Sequence, residues 1–92
     1  MAFFLVERYV PSMADAEVAS AIDRVGEATP DGARHLWTVL VRREDTCLSV
    51  FEAPDARAVE AANARAGFSF DRIVEAIVLL PHPDPERTVT AS

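Results

Sequence analysis

The chain has few of the residues that mark the common functional classes of small proteins. Its one cysteine, Cys47, excludes an internal disulfide and favours a reducing compartment such as the cytoplasm. No run approaches the roughly 18 apolar residues of a membrane span, and the apolar start lacks the basic residues that open a signal peptide. The three glycines are scattered, which excludes a phosphate-binding glycine loop and the serine-hydrolase nucleophile motif. We therefore expect a cytoplasmic protein that uses neither a membrane nor a nucleotide.

Basic residues are also scarce. Lysine and arginine together number nine against 15 aspartate and glutamate residues, and the net charge is −6. The basic residues do not cluster, whereas neutralising nucleic-acid phosphates requires a basic face. This charge pattern argues against a nucleic-acid partner.

What the chain does have is the hydrophobic content of one small globular domain. Half of its 92 residues are hydrophobic, and a chain of this length buries about 60% of the surface that its unfolded form exposes. We place the domain at residues 1–82 and assign residues 83–92 to a polar C-terminal tail.

Hydrophobic periodicity predicts four strands and two helices. The strands are expected at residues 2–10, 36–42, 47–51 and 73–80. Ser12 is the expected N-cap of the first helix, which Gly26 and Pro30-Asp31-Gly32 end. Asp55 and Gly67 bound the second helix. Residues 43–46 form the turn between the second and third strands.

The order of these elements, β-α-β-β-α-β, is the split βαβ pattern of ferredoxin-like α+β folds. It predicts a four-stranded antiparallel sheet with strand order 4-1-3-2 and both helices on one face. Alternate residues on the other face are still Val, Leu, Ile or Phe, and an apolar face of this size is a liability in a monomer. We therefore expect a homodimer in which two sheets pack face to face, as a dimeric α+β barrel.

Three glutamates on these strands are candidates for proton transfer. Glu7 and Glu75 interrupt apolar strand faces, and Glu52 closes the third strand. Apolar surroundings disfavour a charged carboxylate and raise its pKa toward the range useful for proton transfer. With an even-numbered turn before the third strand, Glu52 lies opposite Trp37 and on the same side as His35. These residues predict a pocket between sheet and helices for a small, mostly apolar organic molecule.

We assign candidate roles on this basis. Glu52 is the favoured base of a cofactor-free proton transfer, isomerisation or cyclisation, and His35, Glu75 or Tyr9 is the acid or an orienting group. The candidate ligand-binding residues are Trp37, Glu7 and Phe68. The simpler alternative pairs the glutamates with arginines, leaves His35 at a strand end and buries Trp37 in the core or the dimer interface. The arginines available for this are Arg8, Arg34, Arg42 and Arg72.

The chain also carries donors for a transition metal, with nickel as the alternative to having no cofactor. The candidates are His35, Cys47 and His82, and imidazole with thiolate or carboxylate would suit nickel, zinc or copper. They do not lie at a close ligand spacing such as C-x-x-C or H-x-x-x-H. Cys47 is equally typical of a small buried hydrophobic residue.

Two segments resemble a family of small ferredoxin-like proteins of unknown function whose characterised relatives bind nickel. They are C-x-x-x-x-E-A-P-D-A-x-A-V at residues 47–59 and A-G-F-S-F-D-R-I-V-E at residues 66–75, and F-L-V-E-R at residues 4–8 fits the same family. The resemblance implies the fold and a nickel site. The nickel-binding members carry a histidine in the first strand and another after the glycine that closes the second helix. The matching positions here hold Glu7-Arg8 and Phe68, so we expect weak or absent nickel binding.

A second, local resemblance is to muconolactone isomerases, which are small α+β barrels. It rests on R-H-L-W at residues 34–37, S-V-F-E at residues 49–52, V-E at residues 74–75 and H-P at residues 82–83. These enzymes move a proton within a lactone without a cofactor. The resemblance therefore implies a proton-transfer function. The alternatives are a protein that binds nickel or another transition metal and a non-catalytic dimeric module.

Overall fold

The computed structural model describes residues 1–79, which form a four-stranded antiparallel sheet with two helices. The strands are β1 (Ala2–Tyr9), β2 (Arg34–Val41), β3 (Thr46–Ala53) and β4 (Arg72–Ala76), and the helices are α1 (Asp15–Ala28) and α2 (Ala56–Ala66). The strand order is β2-β3-β1-β4, which is the predicted order counted from the other edge. The ferredoxin-like α+β fold is confirmed. The predicted tail, residues 83–92, lies outside the described residues.

The second helix begins and ends where the sequence predicts. The Asp55 side chain accepts a hydrogen bond of 3.1 Å from the backbone N–H of Ala58, which satisfies one of the unpaired donors of the first turn. At the other end Gly67 has a φ of 69°, a left-handed conformation that glycine adopts without steric cost. These two residues fix the length of α2.

The first helix begins later than predicted, and it ends within the stretch from Gly26 to Gly32 that was expected to end it. It begins at Asp15 rather than after Ser12, and the Glu17 carboxylate accepts a 2.9 Å hydrogen bond from the backbone N–H of Ala14. Gly26 lies inside the helix, which continues to Ala28. A glycine within a helix costs only about 1 kcal/mol relative to alanine, and burial of the preceding Val25 offsets that cost.

The core lies between the helices and one face of the sheet, which we call the helix face. On β1 and β3 every second residue points into it, and the fully buried side chains include Val6, Phe51, Val25 and Val59. Burial thus alternates along these strands with the two-residue period of a strand.

The other face of the sheet, which we call the open face, has no helix against it in the described residues. Its apolar centre consists of Phe3, Leu5, Trp37, Val39, Leu48, Val50 and Val74. All of these side chains are partly exposed, and Val39 is 51% exposed. The apolar open face expected from the sequence is thus present.

The connection between β2 and β3 has the predicted even length but a different register. It comprises four residues, Arg42–Asp45, because Val41 pairs with Thr46. Trp37 then lies opposite Val50, not Glu52, and the register shifts between His35 and Trp37 at a β-bulge. An extra residue in one strand turns the residues before it to the opposite face. His35 therefore lies on the helix face, and its expected position beside Trp37 was wrong.

The fourth strand is shorter than expected. It ends at Ala76, which pairs with Phe3 near the start of β1, and residues 77–79 continue beyond the paired region. No helix of the described residues has the length and apolar character needed to cross a membrane.

Candidate functional site

Glu52 forms an ion pair on the open face. Its Oε1 lies 2.9 Å from Nε of Arg34, the neighbouring residue on β2. The pair is partly exposed, with 22% of the Glu52 side chain and 47% of the Arg34 side chain accessible. Glu52 therefore faces away from the helices, and the expected position in a pocket between sheet and helices was wrong. The simpler alternative, an arginine-paired glutamate, describes its geometry.

Glu7 has the same arrangement at the opposite corner of the open face. Its carboxylate forms an ion pair with Nε of Arg72 on β4. Tyr9, two residues further along β1, is exposed, and its backbone N–H donates a 2.6 Å hydrogen bond to Oδ2 of Asp71. Neither Glu7 nor Tyr9 approaches His35, which lies on the other side of the sheet.

Glu75 lies on edge strand β4 opposite Phe4. This places its carboxylate on the helix-face side of the sheet, but the side chain is exposed to solvent. Glu75 is thus separated from Glu52 by one intervening strand, β1, and by the thickness of the sheet. The three candidate glutamates do not converge.

His35 begins a chain of hydrogen bonds on the helix face. Its Nε2 lies 2.7 Å from the hydroxyl of Thr38, which in turn lies 2.8 Å from the hydroxyl of the buried Ser49. The ring also packs against Phe51 with 5.1 Å between centroids. Burial lowers the pKa of His35 below its ordinary value, and the backbone of Trp37 opposes this effect. The imidazole is therefore neutral at pH 7 and can act as a hydrogen-bond donor and acceptor.

A cleft lies next to this chain, between α1 and the edge strand β2. Its volume is about 320 Å³, and its lining residues are Asp15, Val18, Ala19, Ile22, Asp23, Thr38 and Leu40. The floor is apolar, and the carboxylates lie on α1. The Asp15 carboxylate is neutralised by an ion pair with Arg42. Of the predicted site residues, only His35 adjoins the cleft, through Thr38.

A buried arginine is the main feature that the sequence analysis missed. Arg8 is 1% exposed; its Nη2 donates a 2.6 Å hydrogen bond to Oδ1 of Asn63, and its Nη1 donates to the backbone O of Phe68 at 3.4 Å. The guanidinium carbon lies 4.1 Å from the centre of the Phe68 ring, a cation–π contact. The sequence indicates Arg8 only as one of the arginines available to pair with the glutamates. Its place among the alternate residues Phe4, Val6 and Val10 was the signal for burial.

Phe68 contributes to this buried arrangement around Arg8. Phe68 is buried, its backbone N–H donates a 3.1 Å hydrogen bond to the O of Asn63, and its ring covers Arg8. The role of Phe68 in ligand binding stays a prediction. In this structure its ring encloses the buried charge of Arg8.

The metal-donor candidates are separated. Cys47 is fully buried opposite Arg8, and burial raises the pKa of its thiol, with the Arg8 charge opposing that effect. His35 lies several residues further along the sheet, and His82 lies outside the described residues. Within residues 1–79 no group of three or more His, Cys, Asp or Glu side chains is arranged to hold a metal ion. The described donor set therefore does not fit a nickel site.

Comparison with known proteins supplies the family. The sequence profile of the family described as nickel responsive protein SCO4226-like matches residues 4–76. The chain belongs to this family. The crystal structure of SCO4226 from Streptomyces coelicolor A3(2) is similar to this chain, with a TM-score of 0.75 and 19% sequence identity over 85% of this chain and 99% of that chain. At that identity the structural likeness to SCO4226 shows a shared fold. No curated protein sequence matches the chain.

Proposed function

We propose that this protein takes part in the cellular response to nickel and that it does so as a homodimer formed through the open face. The observation that carries the first part is the match of residues 4–76 to a family described as nickel responsive. This match covers both helices and all of the sheet except the first two residues of β1, so it does not rest on one local motif. The resemblance of residues 47–59 and 66–75 to nickel-binding relatives supports the same function.

The composition of the open face supports the homodimer. Its centre is apolar, and its two ion pairs, Arg34–Glu52 and Arg72–Glu7, lie on opposite edge pairs of the sheet. Glu52 is level with Phe3, whereas Glu7 lies four residues further along β1, about 13 Å away at the rise of a strand. The charges thus flank an apolar centre at diagonal corners. An apolar centre with a polar rim is the usual anatomy of a protein interface.

The homodimer also accounts for the exposure of residues that a single subunit leaves uncovered. Trp37 and Val39 lie on the open face, and a two-fold axis through this face would bring each sheet against an identical one. Packed sheets lie about 10 Å apart with their side chains interdigitated. Such packing removes the apolar centre from water without any further element of the chain.

We do not assign nickel binding to the described residues of a single subunit. His35 Nε2 is engaged with Thr38, and the Cys47 thiol is buried with a raised pKa, which disfavours the thiolate that a metal requires. Where the resemblance places the histidines of nickel-binding relatives, this chain has Glu7-Arg8 and Phe68. Arg8 and Phe68 form a buried cation–π contact. That contact fills the space beside β1 with a positive charge, which repels a metal cation.

Proton-transfer catalysis has less support from the geometry. The favoured base, Glu52, is ion-paired on the open face, and His35 lies on the opposite face beside the α1–β2 cleft. A base and an acid that serve one substrate must both come within hydrogen-bond reach of it. Binding of a small organic molecule and isomerase activity therefore stay predictions from the sequence.

Protein abundance under metal stress tests the proposed function. Cells of the source organism are exposed to nickel, and in parallel to zinc and cobalt at concentrations that slow growth equally. Quantitative mass spectrometry of the protein should show a change that is specific to nickel. An abundance that does not change, or that changes equally with all three metals, would contradict the proposal.

Elemental analysis tests the donor argument separately. The protein is purified without a histidine tag, incubated with nickel and dialysed. We expect far less than one nickel per chain, because the described donors do not converge. One tightly held nickel per chain would show that a site forms from residues beyond those described or between subunits.

A further inference from the structure

The cleft between α1 and the edge strand β2 has the features of a binding site that neither the homodimer nor the response to nickel uses. It combines an apolar floor, carboxylates and a hydroxyl group around a volume of about 320 Å³. All of its lining residues belong to one subunit. We propose that this cleft binds a small primary alkylamine in its protonated form, with the alkyl chain on the floor and the ammonium group at Asp23 and Thr38.

Three aliphatic side chains form the floor of the cleft. Val18 and Ile22 are buried on α1, and Leu40 lies on the helix face of β2 beside them. Residues four apart in a helix lie on the same side of it, so Val18 and Ile22 present one continuous apolar surface toward β2. This surface suits the hydrocarbon part of a ligand, because each methylene removed from water favours binding.

The carboxylates beside the floor leave one negative charge without an ion pair. Asp15 is paired with Arg42, whereas Asp23 forms no ion pair with any of residues 1–79. Burial lowers the pKa of His35, and the charge of Asp23 is among the effects that oppose this. The negative potential of Asp23 therefore extends over the polar side of the cleft. One uncompensated carboxylate favours a ligand with a single positive charge.

Thr38 supplies a hydrogen-bonding position on the same side of the cleft. Its hydroxyl can make three hydrogen bonds, one as donor and two as acceptor. Two of them join it to His35 at 2.7 Å and to Ser49 at 2.8 Å. When Thr38 donates one of these bonds and accepts the other, an acceptor position remains for a donor in the cleft. An ammonium group has three N–H donors and can serve Asp23 and Thr38 together, whereas a carboxylate has none.

The volume of the cleft limits the size of the ligand. About 320 Å³ is at the lower end of the range for small-molecule pockets, roughly 300–1,000 Å³, so the ligand is smaller than a typical drug molecule. The whole protein carries a net charge of −6 and attracts cations over its entire surface. A test must therefore show where the amine binds as well as how tightly.

Nuclear magnetic resonance titration of the full chain with n-hexylamine gives both quantities. The measurement uses phosphate buffer at pH 7, where an alkylamine, like the lysine side chain, is protonated. The methyl resonances of Val18, Ile22 and Leu40 should shift and reach saturation. The backbone resonances of Ser20 and Arg24, which lie on a different side of α1, should not.

Uncharged and negatively charged probes of the same length test the choice of an amine. We expect 1-hexanol to bind about threefold more weakly than n-hexylamine, because it lacks the charge that pairs with the exposed Asp23. Hexanoate should bind more weakly than 1-hexanol. Butylamine should bind about fivefold more weakly than n-hexylamine, because it buries two methylenes fewer on the floor.

A charge-removing variant tests the role of Asp23. Asp23→Asn should weaken n-hexylamine binding about threefold and leave 1-hexanol binding unchanged. Unchanged binding of 1-hexanol also shows that the cleft of this variant is intact. The control is Glu60→Gln, which removes the same charge from an exposed position of α2 outside the cleft. It should leave the binding of both probes unchanged.

Three results would overturn the assignment. Absence of saturable shifts at the floor residues would show that the cleft does not bind an alkylamine. Equal weakening by Asp23→Asn and Glu60→Gln would show a general attraction of cations to an acidic protein. Equal affinities for n-hexylamine and 1-hexanol would show that the ammonium group is not recognised. Because the cleft lies within one subunit, these results are independent of the oligomeric state and of the abundance of the protein under nickel.

Discussion

Nη2 of Arg8 donates a 2.6 Å hydrogen bond to Oδ1 of Asn63, and both side chains are fully buried. Asn63 is itself fixed, since its Nδ2 donates a 2.7 Å hydrogen bond to the O of Val59. The contact joins β1 to α2 through a charge that has no carboxylate partner among the described residues. Burial lowers the pKa of Arg8, with the nearby Cys47 and Asp71 opposing that effect.

Asn63→Ala should destabilise the protein strongly. It removes the shorter of the two hydrogen bonds of the buried guanidinium, and loss of a partner of a buried charge costs about 3 kcal/mol in the free energy of unfolding. Urea denaturation at one fixed protein concentration measures the change, because the stability of a dimer depends on concentration. Glu60→Ala on the exposed side of α2 is the matched control, with an expected change within about 0.5 kcal/mol. Equal changes for the two variants would show that the contact does not stabilise the fold.

Glu52→Gln should change stability only slightly. The Arg34–Glu52 pair is partly exposed, and such pairs contribute about 0–1 kcal/mol. A double-mutant cycle with Arg34→Gln isolates the pairwise energy. A coupling well above 1 kcal/mol would mean that the pair is buried in solution, as it would be if the dimer interface extended over its corner of the open face.

His35 should make stability depend on pH. Its pKa in the folded protein is lowered by burial from an ordinary value of 6.5, so between these two values the unfolded state binds more protons than the folded state. The free energy of unfolding is therefore unaffected by His35 above about pH 6.5 and falls as the pH decreases below it. His35→Gln should flatten this decrease.

The control for the pH experiment is His82→Gln, because the chain has only two histidines. Urea denaturation from pH 8 to pH 5 gives the comparison. If His82→Gln flattens the profile and His35→Gln does not, the burial of His35 does not control the pH dependence.

The fold could be predicted from the sequence because its signals are local and mutually consistent. Asp55 and Gly67 bound α2, and the order β-α-β-β-α-β gives the topology of the sheet. The position of His35 could not be predicted in the same way, because a β-bulge before Trp37 reverses its face. Apolar alternation does not reveal an extra residue in one strand.

The candidate site was harder to predict than the fold for a further reason. The sequence places glutamates on apolar strands, but it does not say which arginine lies beside each of them on the neighbouring strand. The strand register alone brings Arg34 to Glu52 and Arg72 to Glu7. Arg8 presents the opposite case. Its alternation with Val6 and Val10 indicated burial, whereas its charge suggested a surface pair, and the acceptor Asn63 lies 55 residues away in the sequence.

The mass of the protein in solution tests the central claim, homodimerisation through the open face, most directly. Light scattering coupled to size exclusion at micromolar concentration should give twice the chain mass of 10.0 kDa. Val39→Asp should reduce it to one chain mass with the fold retained, because Val39 is 51% exposed within a subunit, whereas a carboxylate buried in the interface is strongly unfavourable. The emission of Trp37, the chain's one tryptophan, should then shift to the red.

Ser20→Asp on the exposed surface of α1 is the control and should remain a dimer. The account predicts a dimer for the parent and for Ser20→Asp, and a folded monomer for Val39→Asp. A parent protein of a single chain mass, or a Val39→Asp variant that stays dimeric, would contradict it.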